Sequence, residues 1–470
     1  MKIWYRLWHK QDPNEYKIKD NHLVRSLRVR DLLGLGIGMI VSASIFTLPG
    51  EVAAMHTGPA VVISFVLAGL AAGLIALIYA EMSSAMPFAG SAYSWTNVLF
   101  GEFPGWIVGW ALLAEYLMCL AFVSTGLSAN LRPLLARIGI HLPNYLAHPM
   151  SMHGLIDIIA VIALVCATIL VGNSITSATK VENILVTLKV FAVLLFVVVG
   201  ATAIHKSRFV PFIPHYRLTN NGAFGGWQGI YAGISMIFVS YVGFDVITAN
   251  AAEVKKPQRS LPLGILGSLG IATIFFVLVS LVLIGDLPYQ KYLSSAEPIG
   301  LALRAIHHSN VAFIVQLIAV FGMFTALIGL TMAGSRLLYS FGRDGMLPRW
   351  LGKLDHKKRP NNALITIILV AIVCSIVFPF ALLSQLISAG TLITFMFVSV
   401  GMIKLRKREN KDLHDDGFKV PLFPILPILG FIVSAIIFGG LSNYAKLCTI
   451  IWFIFGLAIY FIYGIWHTNK

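Results

Sequence analysis

Four ionisable residues stand inside long apolar runs, where an uncompensated charge is costly and marks a functional site by default. Glu115 lies mid-run in GWALLAEYLMCLAF, Lys189 in NILVTLKVFAVLLFVVVG, Asp245 in SYVGFDVITANAA, and Glu81 near the end of a run that continues into MSSAMPFAGSAYSW. Glu115 reads as a substrate or coupling carboxylate, against a structural reading in which it bonds to broken helices. Lys189 falls about 12 Å into its run at 1.5 Å per residue, too deep for easy snorkelling. It can exchange a proton, stand as a fixed internal cation, or bond a helix C-terminal carbonyl; these readings are compatible. Asp245 reads as a cap or ion-pair partner, and Glu81 as an interfacial end residue.

Two stretches of small residues offer the complementary chemistry. GLGIGMIVSASIFTLPG, from Gly34 to Gly50, has three alternating glycines, then Ser42-Ala43-Ser44, then Pro49-Gly50. Glycine costs about 1 kcal/mol per helix position and proline about 3, so the helix is expected to open here. The alternative is a continuous helix with small residues for close packing. The second stretch, from Gly233 to Val254, carries Phe238, Ser240, Tyr241 and Gly243 around its centre. Irregular backbone inside a membrane is tolerated where it is packed in protein or lines a cavity. Thr325 and Thr331 are the polar residues in the middle of a later run, and each is expected to bond its own helix backbone.

The chain shows no GxxxxGK[ST], HExxH, paired-cysteine zinc spacing or G-x-S-x-G elbow, so neither an enzyme, a metal site nor a cofactor is expected. No selectivity-filter motif or charged ring suggests a channel. The four cysteines, Cys119, Cys166, Cys374 and Cys448, sit in apolar runs and read as small buried hydrophobes.

The elements that position these residues are membrane helices. Of 470 residues, 57% are apolar and 12% are charged, against about 25% charged in soluble domains. An all-α integral membrane protein follows. Apolar runs of about 20 residues predict twelve spans: 32–54, 59–84, 104–129, 154–172, 181–204, 228–252, 263–286, 311–335, 362–380, 384–403, 421–440 and 447–465. The interruptions fall in the first and sixth, as in a five-plus-five inverted repeat with two additional helices. Residues 1–31 then form a cytoplasmic segment, 32–403 the transport core, 404–420 a basic cytoplasmic loop, and 421–470 the added pair. Lys and Arg concentrate in the segments that share a side with the N-terminus, which predicts both termini inside. The net charge of +15 is then a topology signal and calls for no nucleic acid. The stretch from Lys2 to Arg30 can also rest on anionic lipid.

With these motifs in view, the chain resembles the amino acid–polyamine–organocation superfamily, most closely its cationic amino acid transporter branch in twelve-span bacterial form. The resemblance covers nearly the whole chain. It rests on the Gly34–Gly50 stretch, on AEMSSAMPFAGSAYSW from Ala80, on YVGFDVITANAAEVKKPQRSLPLGI from Tyr241, and on SRLLYSFGRDGMLP from Ser335. Glu115-Tyr116 and Lys189 fall where that branch carries its third-span Glu and fifth-span Lys.

The resemblance implies alternating access and uptake of a neutral or cationic α-amino acid across a plasma membrane. It implies proton coupling without sodium, with Lys189 where sodium-coupled relatives hold an ion. The substrate carboxylate would meet backbone N–H groups around Ser42, Ala43 and Ser44. The amino group would meet carbonyls of Ile40 and of Phe238 to Tyr241, Ser240 included, with Phe238 as a thin gate. Arg343, Asp344, Glu253 and Lys255 would form the cytoplasmic gate. An amino acid/polyamine exchanger and a non-transporting sensor remain open, as does the oligomeric state, for which a monomer suffices. One departure stands out: the family usually has glycine at 42 and 44, and this chain has serine at both.

Overall fold

The computed structural model describes residues 7–8, 10, 12–13, 27–88, 91–150, 154–172, 178–219, 222–293, 295, 297–356, 359–408 and 417–467. Most of the basic N-terminal stretch, Ala89 and Gly90 of the second-to-third-span segment, and 409–416 of the basic loop lie outside them.

The first expected span is two helices, α1 (Val29–Ile40) and α2 (Ala43–Val52). Asp31 sets the start of α1 by accepting from the Arg28 N–H at 2.9 Å. After a π-helical turn, α3 spans Val61–Ala85. Next come α4 (Ser91–Leu99), α5 (Glu102–Arg137), α6 (Ile158–Gly172) and α7 (Ala178–Gly200). A hairpin of β1 (Arg217–Thr219) and β2 (Gly222–Phe224) pairs Leu218 with Ala223.

The sixth span is α8 (Gly226–Ile237), a 3-10 turn over Phe238–Tyr241, and α9 (Phe244–Ala249). The chain continues as α10 (Pro257–Asp286), α11 (Pro298–Ala305), α12 (Ser309–Arg343) and α13 (Asn361–Val377). It ends with α14 (Phe380–Arg406), α15 (Ile425–Gly439) and α16 (Asn443–Ile459).

Eight apolar helical stretches are long enough to cross a membrane among the described residues; one, Ala43–Ala85, runs through the first two expected spans. Three shorter apolar helices are α6, α13 and α15. Every expected span therefore has a helical counterpart, and the architecture is that of an all-α membrane protein. Three elements had no hydropathy signature. Helix α4 is short yet buried along its whole length, and the β1–β2 hairpin and α11 lie between spans.

The core forms where α5 packs along α12 and α14, and where α10 packs along α1 and α3. Small residues permit the approach. A Cβ on Gly36 would stand 2.5 Å from the Ser268 Oγ, and one on Gly390 would stand 2.8 Å from the Ala111 carbonyl oxygen. The outward faces of α7, α13 and α16 carry exposed aliphatic and aromatic side chains such as Phe191, Leu369 and Ile454, as lipid-facing helices require. Cys166 is exposed on such a face, and Cys119 and Cys448 are only partly buried, which corrects the expectation of four buried thiols. A surface that meets lipid tolerates a weakly polar thiol as readily as the core does.

Candidate functional site

Helix α1 stops at Ile40 because Val41 and Ser42 leave helical geometry, at φ −82°, ψ 67° and φ −121°, ψ −136°. Ser42 then occupies the N-cap position of α2. Serine there ordinarily accepts from an orphan N–H in the first turn. Here its side chain makes no cap bond, and among the described residues its buried Oγ finds no partner. The first-turn N–H groups of α2, at the positive end of its dipole, are left for another acceptor. The Ser44 Oγ turns back toward the Ile40 carbonyl at 3.4 Å, and the Thr47 Oγ1 bonds the Ala43 carbonyl at 2.7 Å.

The sixth span opens around Gly243, whose φ of +129° suits glycine alone. Its N–H donates to the Asp245 Oδ1 at 3.0 Å, so the carboxylate closes its own turn, as a cap. The two interruptions touch: a Cβ on Gly243 would stand 3.0 Å from the Met39 Cβ.

Between them lies a narrow cavity of about 50 Å³, room for a few waters. Ser42, Ala43, Ser44 and Glu115 line it, as expected. The remainder of its wall is chiefly apolar. Helix α5 contributes Tyr116, Cys119, Phe122 and Val123, the interrupted sixth span Val239, Val242 and Val246, and α12 Ala326 and Leu330. Apart from Tyr116, these residues had not been singled out for the site. Helical spacing from Glu115 could have found the α5 set, since i+4 and i+7 share its face.

Glu115 accepts from the Thr391 Oγ1 on α14 at 2.7 Å. The contact is possible because Gly390 lets α14 close on α5. Its partner is thus a neighbouring continuous helix, not the broken ones. Lys189 does not reach the cavity. Its Nζ donates to the Gly38 carbonyl at 2.9 Å, in the last turn of α1, where a cation suits the dipole. Its stem passes Gly322 of α12, where a Cβ would stand 2.5 Å from the Lys189 Cε. The carbonyl-bonding reading of Lys189 therefore holds.

Ile40, Phe238, Ser240 and Tyr241 are buried beside the interruptions without lining the cavity. In this conformation Phe238 does not cover it. The 3-10 turn carries its ring against Phe395 at 6.1 Å between centroids, within a cluster that includes Tyr79 and Phe244. The Tyr241 hydroxyl donates to the Phe65 carbonyl on α3 at 2.6 Å, and the buried Ser240 Oγ has no partner among the described residues. The Thr325 hydroxyl bonds its own helix at Gly322, as expected. Thr331 does not: its buried hydroxyl has no partner among the described residues.

Away from the cavity, Arg343 pairs with Asp344 at 2.9 Å. Glu253 and Lys255 contribute backbone: the Leu27 N–H donates to the Glu253 carbonyl at 3.0 Å, and the Lys255 N–H donates to the Leu27 carbonyl at 2.9 Å. Glu81 proves more than an interfacial residue. Buried at the end of α3, it pairs with Arg406 of α14 at 2.6 Å and accepts the Val420 N–H at 2.5 Å.

No cluster of His, Cys, Asp and Glu able to hold a metal occurs among the described residues. The uncapped helix start and the buried hydroxyl offer hydrogen bonds to an anionic group, and the wall offers an apolar surface, around a space that in this conformation admits water-sized molecules.

Comparison with known proteins follows the same line. A family described as amino acid permease matches residues 27–466. The branched-chain amino acid permease BcaP of Lactococcus lactis subsp. cremoris (strain MG1363) is 52% identical over 456 residues, covering 97% of this chain and 98% of that protein. The methylthioribose transporter of Bacillus subtilis (strain 168) is 34% identical over 454 residues, 96% of this chain and 95% of that protein. Cationic amino acid transporter 4, vacuolar, of Arabidopsis thaliana is 34% identical over 404 residues, 84% of this chain and 66% of that protein.

Proposed function

This chain belongs to the amino acid permease family of the amino acid–polyamine–organocation superfamily, and from that premise we propose that its substrate is a branched-chain or similar apolar α-amino acid. The observation that carries the choice is the cavity wall. Val239, Val242, Val246, Ala326 and Leu330 offer an aliphatic surface, and burying a leucine-sized side chain against such a surface contributes about 1.5–3 kcal/mol. The substrate carboxylate meets the uncapped N–H groups and the free Ser42 hydroxyl. The relative named as a branched-chain permease agrees with this reading.

Transport proceeds by alternating access around the two interruptions, coupled to protons and independent of sodium. The Lys189 ammonium at the end of α1 supports sodium independence, because a fixed cation already satisfies the carbonyls there. Both termini face the cytoplasm of a plasma membrane, as the Lys and Arg distribution indicates. The gate residues Glu253, Lys255, Arg343 and Asp344 belong to that inner side.

One observation favours a cationic substrate instead. Glu115 puts a carboxylate in the wall, although the Thr391 hydroxyl already engages it. Proteoliposome uptake separates the readings. Leucine, isoleucine or valine driven inward by a proton gradient supports the proposal. Uptake of lysine or arginine with none of leucine overturns the substrate choice, and flux that needs internal amino acid identifies an exchanger.

A further inference from the structure

A larger space lies at the other end of α5. The segment after Arg137 folds back on itself: the Leu155 and Ile156 N–H groups both donate to the Tyr145 carbonyl, at 2.9 and 3.0 Å. The fold borders an open pocket of about 270 Å³ whose polar lining is Arg132, His141, Asn144 and His148. Among the described residues, no carboxylate lines it. Its polar side chains are nitrogen-bearing, and a guanidinium, two imidazoles and an amide can together offer more donors than the two oxygens of a carboxylate accept. The Arg132 Nη1 is 3.4 Å from both ring nitrogens of His148, and its Nε donates to the Ser128 carbonyl at 3.4 Å.

Two acids, Asp157 and Glu297, lie within electrostatic reach of Arg132 and have hydrogen-bond partners of their own. Asp157, before α6, accepts from the Ser128 Oγ at 2.5 Å and the Ala160 N–H at 3.2 Å. Glu297, before α11, pairs with Arg304 at 2.6 Å and also holds Gln316. Exposed Ile140 borders the pocket, at the end of a membrane helix where headgroups lie.

We propose that this pocket binds a phosphate-class oxyanion, either free or carried on a lipid headgroup. An arginine fork with flanking donors is the chemistry that recognises phosphate, and the volume admits one phosphate group with water. The site is separate from the cavity between the interruptions and independent of which amino acid is carried.

Binding is linked to pH. Burial and the Arg132 charge hold the His148 imidazole below its ordinary pKa. An anion lying beside the two groups offsets that repulsion, so occupancy favours the imidazolium and affinity rises as pH falls. The groups that set the local field are Arg132 on α5, His141 in the same loop, and Asp157 and Glu297 from the neighbouring elements.

Full-length protein in a neutral detergent is titrated with inorganic phosphate by calorimetry. In parallel, it is reconstituted in nanodiscs of phosphatidylcholine with or without phosphatidylglycerol, and co-purified lipid is counted. The expected result is saturable binding in one arm, tightening between about pH 8 and about pH 6. Arg132→Gln should weaken it about tenfold or more. His148→Gln should weaken binding at about pH 6 more than at about pH 8, relative to the unsubstituted protein. Phosphate binding alone assigns a free anion, and selective retention of phosphatidylglycerol assigns a headgroup. No binding in either arm overturns the proposal, as does binding undiminished in Arg132→Gln. If Arg132→Gln fails to fold, Asn144→Ala and His148→Gln together carry the test, and affinity unchanged in both at about pH 6 overturns it.

Discussion

At the scale of single residues, Ser42 and Ser44 carry the sharpest expectation. Both line the cavity at the start of α2. A leucine at position 44 would fill a space of only about 50 Å³, so Ser44→Leu should abolish substrate binding while the protein still folds. Thermal-shift titration with leucine measures this, and unchanged affinity would locate the substrate elsewhere. Lys189 makes a second case. Lys189→Ala removes the ammonium at the Gly38 carbonyl, and gradient-driven uptake should fall at least tenfold, or about 1.4 kcal/mol. Normal flux in that variant would remove Lys189 from coupling, and Lys189→Met separates loss of charge from loss of the stem packed at Gly322.

At the scale of elements, the interruptions were legible and their partners were not. Glycine and serine crowding located the opening within a residue or two: helix α1 ends at Ile40 and α2 begins at Ala43. Hydropathy alone found every span, because a membrane helix must be apolar along its length. The contents of the cavity wall were hidden for a physical reason. Val239, Ala326 and Leu330 are ordinary in any membrane helix, and only the crossing of three helices makes them a surface. The packing of Phe238 was hidden for the same reason, since its neighbour Phe395 lies far along the chain. Helix α4 escaped notice because it is short and carries few strongly apolar residues, though neighbours enclose it entirely.

The element-scale prediction concerns Gly243. With φ at +129° and Met39 at 3.0 Å, Gly243→Ala should cost about 1–3 kcal/mol and lower the rate of uptake more than it lowers expression. Parallel measurement of melting temperature and proteoliposome flux checks it. Wild-type flux would mean that the turn does not shape the site.

At the scale of the whole molecule, the Glu81–Arg406 pair governs stability. Both partners are largely buried, and removing Glu81 takes away the carboxylate facing Arg406, which retains the Val420 carbonyl and the Phe423 ring, at a cost of up to about 3–5 kcal/mol. Glu81→Ala should therefore lower the melting temperature markedly while leaving affinity for substrate in the folded fraction unchanged. A wild-type melting profile would show that the pair is incidental.

That clamp reaches further than the two charges. The Val420 N–H completes it from just before α15. Farther along, Trp110 and Trp452 exchange ring N–H donors for each other's carbonyls, at 2.9 and 3.1 Å, and the Ser235 hydroxyl holds the Ile437 carbonyl at 2.8 Å. Two terminal helices that look like an appendage in the sequence are thus stitched to α3, α5 and α8. A chain ending at residue 403 would keep both interruptions, yet would cut α14 before Arg406 and strip Glu81 of its only charged neighbour among the described contacts. Shortening this permease to a minimal transporter therefore requires rewriting α3 first.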